Sequence, residues 1–202
     1  MPIVLASASP RRQELLKNAG VQFTVNPANI PEVRREGERA KAFAERMARE
    51  KARAIFAGKN DECVLGADTV VSVEAVAVGG KGVPPVEGEL VLGKPESPED
   101  AARMLHLLSG RRHQVITAVC LVGNNFEDLR SETTAVHFSP LGDADIRDYI
   151  ATCEPMDKAG AYAIQGAASR WVSKIEGDYS NVVGLPIALV LQMLREHRVI
   201  KT

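Results

Sequence analysis

Aromatic residues are scarce in this chain: Phe, Trp and Tyr make up only 4% of its 202 residues. We therefore expect a core built mostly from Leu, Val, Ile and Ala. Neither sign of charge dominates, because 25 Lys and Arg residues are matched by 26 Asp and Glu residues, for a net charge of −1. This balance argues against a broad basic face, and so against a nucleic-acid partner.

Cysteines and long apolar runs are also few. The chain has three cysteines and no C-x-x-C pair, and Cys63 and Cys120 lie in apolar, strand-like runs that indicate buried free thiols. No apolar run reaches membrane-spanning length, and the N-terminus lacks the basic region and apolar core of a secretion signal. We expect a soluble, cytoplasmic protein with no membrane partner.

Several common site motifs are absent from the sequence: G-x-S-x-G, a Walker-type glycine loop and G-x-G-x-x-G. The four histidines are scattered singly, and His113 has no His, Cys or carboxylate at metal-ligand spacing. A zinc site is therefore not expected.

Strand and helix patterns alternate along the chain, which predicts an α/β fold with a mixed sheet flanked by helices in a single domain, residues 1–202. The predicted elements are a strand at 2–7, a helix from Ser9-Pro10 to Gly20, a strand within 21–30, a long helix within 37–58, an extended run at 62–78 bent near 66–68, a projecting loop or hairpin tip at 79–90, a helix opened by Ser97-Pro98, strands at 111–123 and 128–140 joined through Asn124-Asn125, a helix at 143–151 and an apolar-faced helix at 184–197.

The first helix carries an unusual charge pattern. Ser9 and Pro10 open it, and Arg11 and Arg12 follow where the helix dipole favours acidic residues. The helix opened by Ser97-Pro98 has acidic residues at the same positions. A helix N-terminus with two guanidinium groups and the hydroxyls of Ser7 and Ser9 suits a phosphate. Alternatively, both arginines extend into solvent, at a cost of about 0.3–1 kcal/mol each.

Charged residues next to apolar segments supply further candidates. Asp68 ends the buried-looking run CVLGAD and could hold a metal ion or orient a water, or else be a turn residue. Lys51 lies on the apolar stripe of the long helix, so its stem either extends to water or its ammonium enters a polar site. Glu32, in NIPEV, could join Asp68 at a divalent ion or lie on a surface loop.

Lys94 and Gln165 lie in loop-like segments. Pro95 holds Lys94 extended, and the side chain could enter a cleft or remain in solvent. Gln165 is a polar residue in the small, apolar segment DKAGAYAIQG, whose glycines permit either tight turns or close approach to a ligand.

Taken together, these segments resemble the Maf family of nucleoside triphosphate pyrophosphatases over residues 3 to about 190. The matching segments are LASASPRRQELL, REKA, GADTVV, LGKP, LSGRRHQVITAV, EPMDKAGAYAIQG and VVGLP. The resemblance implies hydrolysis between the α and β phosphates with a divalent cation, Mg²⁺ or Mn²⁺. It also implies two lobes with a cleft between them, similar to inosine triphosphate pyrophosphatases, and a homodimer.

The resemblance also implies a role for each candidate residue. Asp68 would be the proton acceptor that activates water, with Glu32 and Asp68 at the metal. The residues expected around the triphosphate are Ser7, Ser9, Arg11, Arg12, Lys51 and Lys94. Such a site agrees with the chemistry, because hydrolysis of a polyanion depends on positioning and charge neutralisation. Placement for the substrate's charge would explain why Arg11 and Arg12 break the dipole rule.

Base preference is implied by Arg11, Thr69 and Gln165, of which Thr69 and Gln165 match the branch that resembles UTP and dTTP pyrophosphatases. A branch acting on 7-methyl-GTP tends to carry Gln and Glu at those two places. A glutamine amide can pair with the N–H and carbonyl of uracil or thymine, whereas a carboxylate suits a guanine edge. A purine-specific enzyme and a nucleotide-binding regulator of septum formation are the alternatives.

The segment Val76–Leu92 is longer than the hairpin usual in the family and could shift Lys94 or cover the cleft.

Overall fold

The computed structural model describes residues 1–56, 62–75 and 88–200. Its elements are β1 (Ile3–Leu5), α1 (Pro10–Asn18), β2 (Thr24–Val25), α2 (Ala40–Ile55), β3 (Cys63–Ala75), β4 (Gly88–Leu92), α3 (Pro98–Leu108), β5 (Arg112–Gly123), β6 (Phe126–Phe138), α4 (Asp143–Ala151), β7 (Val172–Glu176), α5 (Tyr179–Val183) and α6 (Ile187–Glu196). Three short 3₁₀ helices lie between α4 and β7, at Glu154–Asp157, Ala159–Ala161 and Ala167–Trp171.

The strands form one seven-stranded sheet in the order β2-β1-β3-β5-β6-β7, with β4 paired to β3. Strand β1 pairs in parallel with both β2 and β3, whereas β4 is antiparallel to β3 and β7 is antiparallel to β6. The predicted turn at Asn124-Asn125 joins β5 to β6. The mixed α/β sheet expected from the sequence is confirmed.

The two Ser-Pro helix starts are also confirmed. The Ser9 side chain accepts a hydrogen bond from the backbone N–H of Arg12 at the start of α1, and Ser97 accepts one from Asp100 at the start of α3. Gly20, just beyond α1, has a φ of 72°, a left-handed conformation that glycine adopts without a steric penalty.

The chain divides into two compact units, which are described separately. The first comprises Met1–Thr69, Ile116–Glu132 and Asp178–Thr202, and the second comprises Val70–Val115 and Thr133–Gly177. In the first unit, buried side chains from β1, α1, β3, β5 and α6 form one apolar cluster. Apart from Cys63 and Met193, its buried members are Leu, Val, Ile and Ala, as the scarcity of aromatics predicts.

Four aromatic residues form a cluster in the second unit. The rings of Phe138, Tyr162 and Trp171 meet edge to face, and Tyr149 packs edge to face on Trp171. His113, almost fully buried, lies 2.9 Å from the Tyr162 hydroxyl, and burial lowers its pKa to about 3. His113, which the sequence did not indicate as a zinc ligand, is therefore a neutral core residue.

The bend expected near residues 66–68 is wrong, because β3 runs unbroken from Cys63 to Ala75. Gly66 is instead the place where α2 lies closest to this strand. A Cβ atom on Gly66 would fall 2.2 Å from the Ala48 carbonyl oxygen and 2.7 Å from the Ala52 nitrogen. The glycine therefore lets α2 pack close to β3, and it does not mark a change in chain direction.

Other differences concern short elements. Within the strand predicted at 21–30 only Thr24–Val25 forms a strand, and β7 and α5 were not predicted. The loop predicted at 79–90 is wrong at its end, because β4 begins at Gly88. The ends of the predicted long helix (57–58) and extended run (76–78), and most of the predicted hairpin loop (79–87), lie outside the described residues. In the parts of the chain that the structure covers, no helix combines the length and apolar character needed to span a bilayer.

Candidate active site

The segment between β1 and α1 brings two serines to the N-terminus of α1. Ser7 is buried, and its hydroxyl accepts hydrogen bonds from the Ser9 backbone N–H (3.2 Å) and from Nη1 of Arg12 (3.2 Å). Ser9 caps the helix, so both hydroxyls lie next to its first turn. Arg11 lies half-buried in that turn. The N-terminal end of α1 therefore has the two hydroxyls expected there from the sequence.

Arg12 is anchored by the protein itself. Its Nε donates to the Gly184 carbonyl oxygen (2.8 Å), and Nη1 donates to the Ala67 carbonyl oxygen (3.0 Å) as well as to Ser7. Its Nη2 donates to Thr69 Oγ1 (3.0 Å). The alternative in which this arginine extends into solvent is wrong. Four of its five N–H donors are aimed at protein acceptors, so Arg12 holds the end of β1, strand β3 and the turn before α6 together.

Asp68 and Lys51 form a buried ion pair. Lys51 Nζ lies 2.6 Å from Asp68 Oδ1, and the two side chains are only 8% and 9% exposed. The same ammonium contacts Glu32 Oε1 at 2.7 Å. Of the two alternatives for Lys51, the structure favours the ammonium that enters a polar site. Asp68 lies within β3 rather than in a turn.

The electrostatic environment of Asp68 suits a base. Burial raises the pKa of the Asp68 carboxyl, and the charge and hydrogen bond of Lys51 oppose that rise. Arg12 also lowers this pKa, and Glu32 raises it. Burial lowers the pKa of the Arg12 guanidinium, whereas Asp68 and Glu32 raise it. A carboxylate whose pKa is raised by burial accepts a proton more readily than one in water.

The loop that carries Glu32 is held to α2 by Arg46. This arginine forms a two-point contact with Glu38 (Nε–Oε1 2.7 Å, Nη2–Oε2 2.8 Å) and donates from Nη2 to the Val33 carbonyl oxygen (2.9 Å). The Arg46 hydrogen bonds lower the pKa of Glu38 to about 2. Since Val33 follows Glu32 directly, these contacts fix the backbone next to the Lys51–Glu32 pair.

Carboxylate oxygens are the ligands that Mg²⁺ and Mn²⁺ prefer, and Glu32 and Asp68 each bring one oxygen to the same Lys51 nitrogen. Within the described part of the chain, no three His, Cys, Asp or Glu side chains are grouped to hold a metal. Two carboxylates match a divalent ion that takes its other ligands from water and substrate, which is the usual arrangement for Mg²⁺ at phosphates.

One polar residue beside this site was missed by the sequence analysis. Thr117, in β5, is fully buried, and its hydroxyl lies 2.9 Å from Thr69 Oγ1. It also donates to the Asn181 carbonyl oxygen at 3.0 Å. A threonine in the middle of the apolar run VITAVCLV is the signal that could have identified it, because a buried hydroxyl needs a partner.

Lys94 and Gln165 lie in the second unit, both exposed. Gln165 lies in a turn that Glu154 and Tyr149 anchor: Glu154 accepts from the Tyr149 hydroxyl (2.8 Å) and the Ala167 N–H (3.4 Å), and the Tyr149 oxygen accepts from the Ala163 N–H (3.0 Å). The structure thus brings together Ser7, Ser9, Arg11, Arg12, Glu32, Lys51, Asp68 and Thr69 in the first unit. The expected roles of Lys94 and Gln165 stay predictions.

A family model described as "Maf-like protein" matches residues 2–197. This chain belongs to the Maf-like family. The match covers both compact units and every candidate site residue discussed above, so the resemblance seen in the sequence motifs is confirmed.

Individual Maf-like relatives are similar over almost their full lengths. The dTTP/UTP pyrophosphatase of Koribacter versatilis (strain Ellin345) is 52% identical over 195 residues, which covers 96% of this chain and 94% of that protein. The dTTP/UTP pyrophosphatase of Anaeromyxobacter sp. (strain Fw109-5) is 49% identical over 198 residues, 96% of this chain and 88% of that protein. Among solved structures, the Staphylococcus aureus Ham1 protein has a TM-score of 0.44 and 15% identity, covering 98% of this chain and 100% of that one.

Proposed function

We propose that this Maf-like protein hydrolyses dTTP and UTP to the nucleoside monophosphate and pyrophosphate, a reaction that removes nucleotides from the cellular pool. The observation that carries the proposal is the buried Lys51–Asp68 pair beside the N-terminus of α1. It combines a carboxylate of raised pKa with nearby cations, and the chain is about half identical to two relatives named for this activity.

Asp68 is the proposed proton acceptor. A water molecule attacks the α phosphorus, its proton passes to the Asp68 carboxylate, and the bond to the oxygen bridging the α and β phosphorus atoms breaks. Pyrophosphate leaves with that bridging oxygen. The Lys51 ammonium opposes the rise in the Asp68 pKa that burial causes, and so favours the ionised form of this carboxyl. The reaction needs charge neutralisation and alignment rather than a covalent intermediate.

The phosphates would lie at the N-terminus of α1, where Ser7, Ser9 and Arg11 offer polar and cationic groups. Arg12 has a structural role in addition to the expected phosphate contact, which stays a prediction. Its guanidinium is held by four protein acceptors, among them the Ala67 carbonyl and the Thr69 hydroxyl on either side of Asp68, and it adds positive charge to the site.

A divalent cation, Mg²⁺ or Mn²⁺, is part of the proposal, with Glu32 and Asp68 as its protein ligands. Bound there, the ion would offset charge on the phosphates and on the leaving pyrophosphate. We further propose, from the family resemblance, a homodimer in the cytoplasm and base recognition through Arg11, Thr69 and Gln165. The two lobes with a cleft between them also stay a prediction.

The test is a panel of purified substrates. Pyrophosphate release is measured with Mg²⁺ or Mn²⁺ from UTP, dTTP, CTP, GTP and 7-methyl-GTP, and kcat/KM is compared. We expect UTP and dTTP to be the preferred substrates. A preference for 7-methyl-GTP would transfer the protein to the purine branch, and tight nucleotide binding without pyrophosphate release would indicate a nucleotide-binding regulator.

A further inference from the structure

A chain of three polar groups passes from the core to the half-buried Thr69. Thr117 Oγ1 lies 3.0 Å from the Asn181 carbonyl oxygen and 2.9 Å from Thr69 Oγ1. Thr69 Oγ1 also accepts from Nη2 of Arg12 at 3.0 Å and lies 3.4 Å from the Gly184 carbonyl oxygen. All of these groups belong to the first unit.

Counting protons fixes the direction of each hydrogen bond. A carbonyl oxygen cannot donate, so the proton between Thr117 and Asn181 is the Thr117 hydroxyl proton. Thr117 then has no second proton to donate to Thr69. In the 2.9 Å contact between the two hydroxyls, Thr69 therefore donates and Thr117 accepts.

The remaining contacts of Thr69 do not reverse this result. The Gly184 carbonyl is a longer alternative for the same proton and already accepts from Arg12 Nε. Whichever of the two receives it, the Thr69 proton is directed at the protein. Arg12 Nη2 occupies one lone pair of Thr69, so what the hydroxyl can offer a ligand is its other lone pair.

We infer that Thr117 is a positioning residue for base selection: it makes Thr69 an acceptor towards the ligand, and so selects a pyrimidine with an N–H at N3. Uracil and thymine carry that N–H, whereas cytosine has a lone pair at N3. Cytosine would therefore place an acceptor against an acceptor and leave both unpaired. This inference rests on the proposed function, because it assigns the ligand of Thr69 from the proposed substrates.

The variant that tests it is Thr117→Val, which keeps the shape of the side chain and removes the hydroxyl. In this variant the acceptor that remains for the Thr69 proton is the Gly184 carbonyl, which is 3.4 Å away and already accepts from Arg12 Nε. Cytosine N3 can then compete for that proton, and Thr69 can donate to it. We expect the ratio of kcat/KM for UTP to that for CTP to fall by about tenfold or more, since an unpaired polar group gives discrimination of this size. Thr117→Ser keeps the hydroxyl and should keep the ratio.

A matched control is Thr134→Val, which removes another fully buried threonine hydroxyl, this one in the second unit. It should lower stability without changing the ratio. If Thr117→Val leaves the UTP/CTP ratio within about twofold of wild type, or if Thr134→Val changes it equally, the inference is wrong.

Two further measurements separate this inference from the proposed function and need neither turnover nor the valine variant. Binding of UMP, CMP and N3-methyl-UMP to the wild-type protein is measured by calorimetry. We expect UMP to bind at least about tenfold more tightly than the other two. Equal binding of UMP and N3-methyl-UMP would overturn the inference even in an active enzyme. Absence of pyrophosphate release with a clear preference for UMP would remove the proposed function and leave the inference standing.

Discussion

Replacing Lys51 by methionine removes the ammonium that contacts both Asp68 and Glu32 and keeps an apolar stem of four atoms. Asp68 is left as a buried carboxylate, whereas Glu32 is 38% exposed and can be solvated. Removing one partner of a buried ion pair costs about 3–5 kcal/mol of folding free energy. We expect a loss near the lower figure, about 3 kcal/mol at pH 8, because Asp68 can take up a proton instead of remaining charged.

The pH dependence gives this prediction its sign. Burial raises the pKa of Asp68 in the folded protein, and loss of Lys51 removes a group that opposes the rise. A carboxyl that binds its proton more tightly when folded lowers stability as the pH rises above the ordinary carboxyl pKa of about 3.9. The loss caused by Lys51→Met should therefore be smaller at pH 5 than at pH 8.

The assay is urea unfolding followed by far-ultraviolet circular dichroism at both pH values. Lys41→Met is the matched control on α2, because the Lys41 side chain is 64% exposed and lies 3.8 Å from Glu45. That pair should contribute less than about 0.5 kcal/mol. The double variant Lys51→Met/Asp68→Asn should recover most of the loss, since a neutral amide replaces the carboxylate that Lys51→Met leaves without its ammonium partner. A Lys51→Met protein as stable as Lys41→Met at both pH values would refute the reasoning.

Three other outcomes are expected. Gly66→Ala should lower the free energy of unfolding by about 3 kcal/mol, because its Cβ would overlap α2. The control Gly93→Ala has nothing within 4 Å of the new Cβ and should change this free energy by less than about 0.5 kcal/mol. Equal effects of the two variants in urea unfolding would contradict the close approach of α2 to β3. Arg46 lowers the pKa of Glu38 to about 2, so the pair stabilises the fold at pH values above the ordinary carboxyl pKa. This contribution disappears as the pH falls towards 2. Glu38→Gln should therefore cost about 1–2 kcal/mol of folding free energy at pH 7, and this cost should vanish when unfolding is measured near pH 2. Cys153 is exposed and the other two cysteines are buried, so a thiol reagent should modify one thiol in the folded protein and three in denaturant, and fast labelling of all three without denaturant would contradict the buried positions.

Local signals in the sequence predicted the features that depend on near neighbours. The Ser-Pro starts of α1 and α3 were predictable because the cap is formed within one turn of the same helix. The place of Lys51 on the apolar stripe of α2 could be seen in the sequence. Whether its ammonium extends to water or enters a polar site could not. The direction of the ammonium is set by its contact with Asp68, which lies 17 positions away in the chain.

The features that could not be predicted depend on contacts between distant segments. Gly66 was interpreted as a bend because glycine often marks one, but its function is set by α2, which lies against it in the fold. The contact of Arg12 with phosphate stays a prediction. Its anchoring could not be predicted, because Ala67, Thr69 and Gly184 supply acceptors from 55 to 172 positions away. One observation, an arginine in the first helical turn, was compatible with either role.

The central claim is that Asp68 accepts the proton of the water that attacks the nucleotide. The most direct test is kcat for UTP hydrolysis by Asp68→Asn, a substitution that keeps the size of the side chain and an oxygen able to accept from Lys51. Loss of a general base lowers the rate by about 10²–10⁴. We predict a decrease of at least about a hundredfold in a protein whose circular dichroism spectrum and nucleotide affinity resemble those of wild type. An Asp68→Asn protein that retains more than about a third of the wild-type rate would contradict the account.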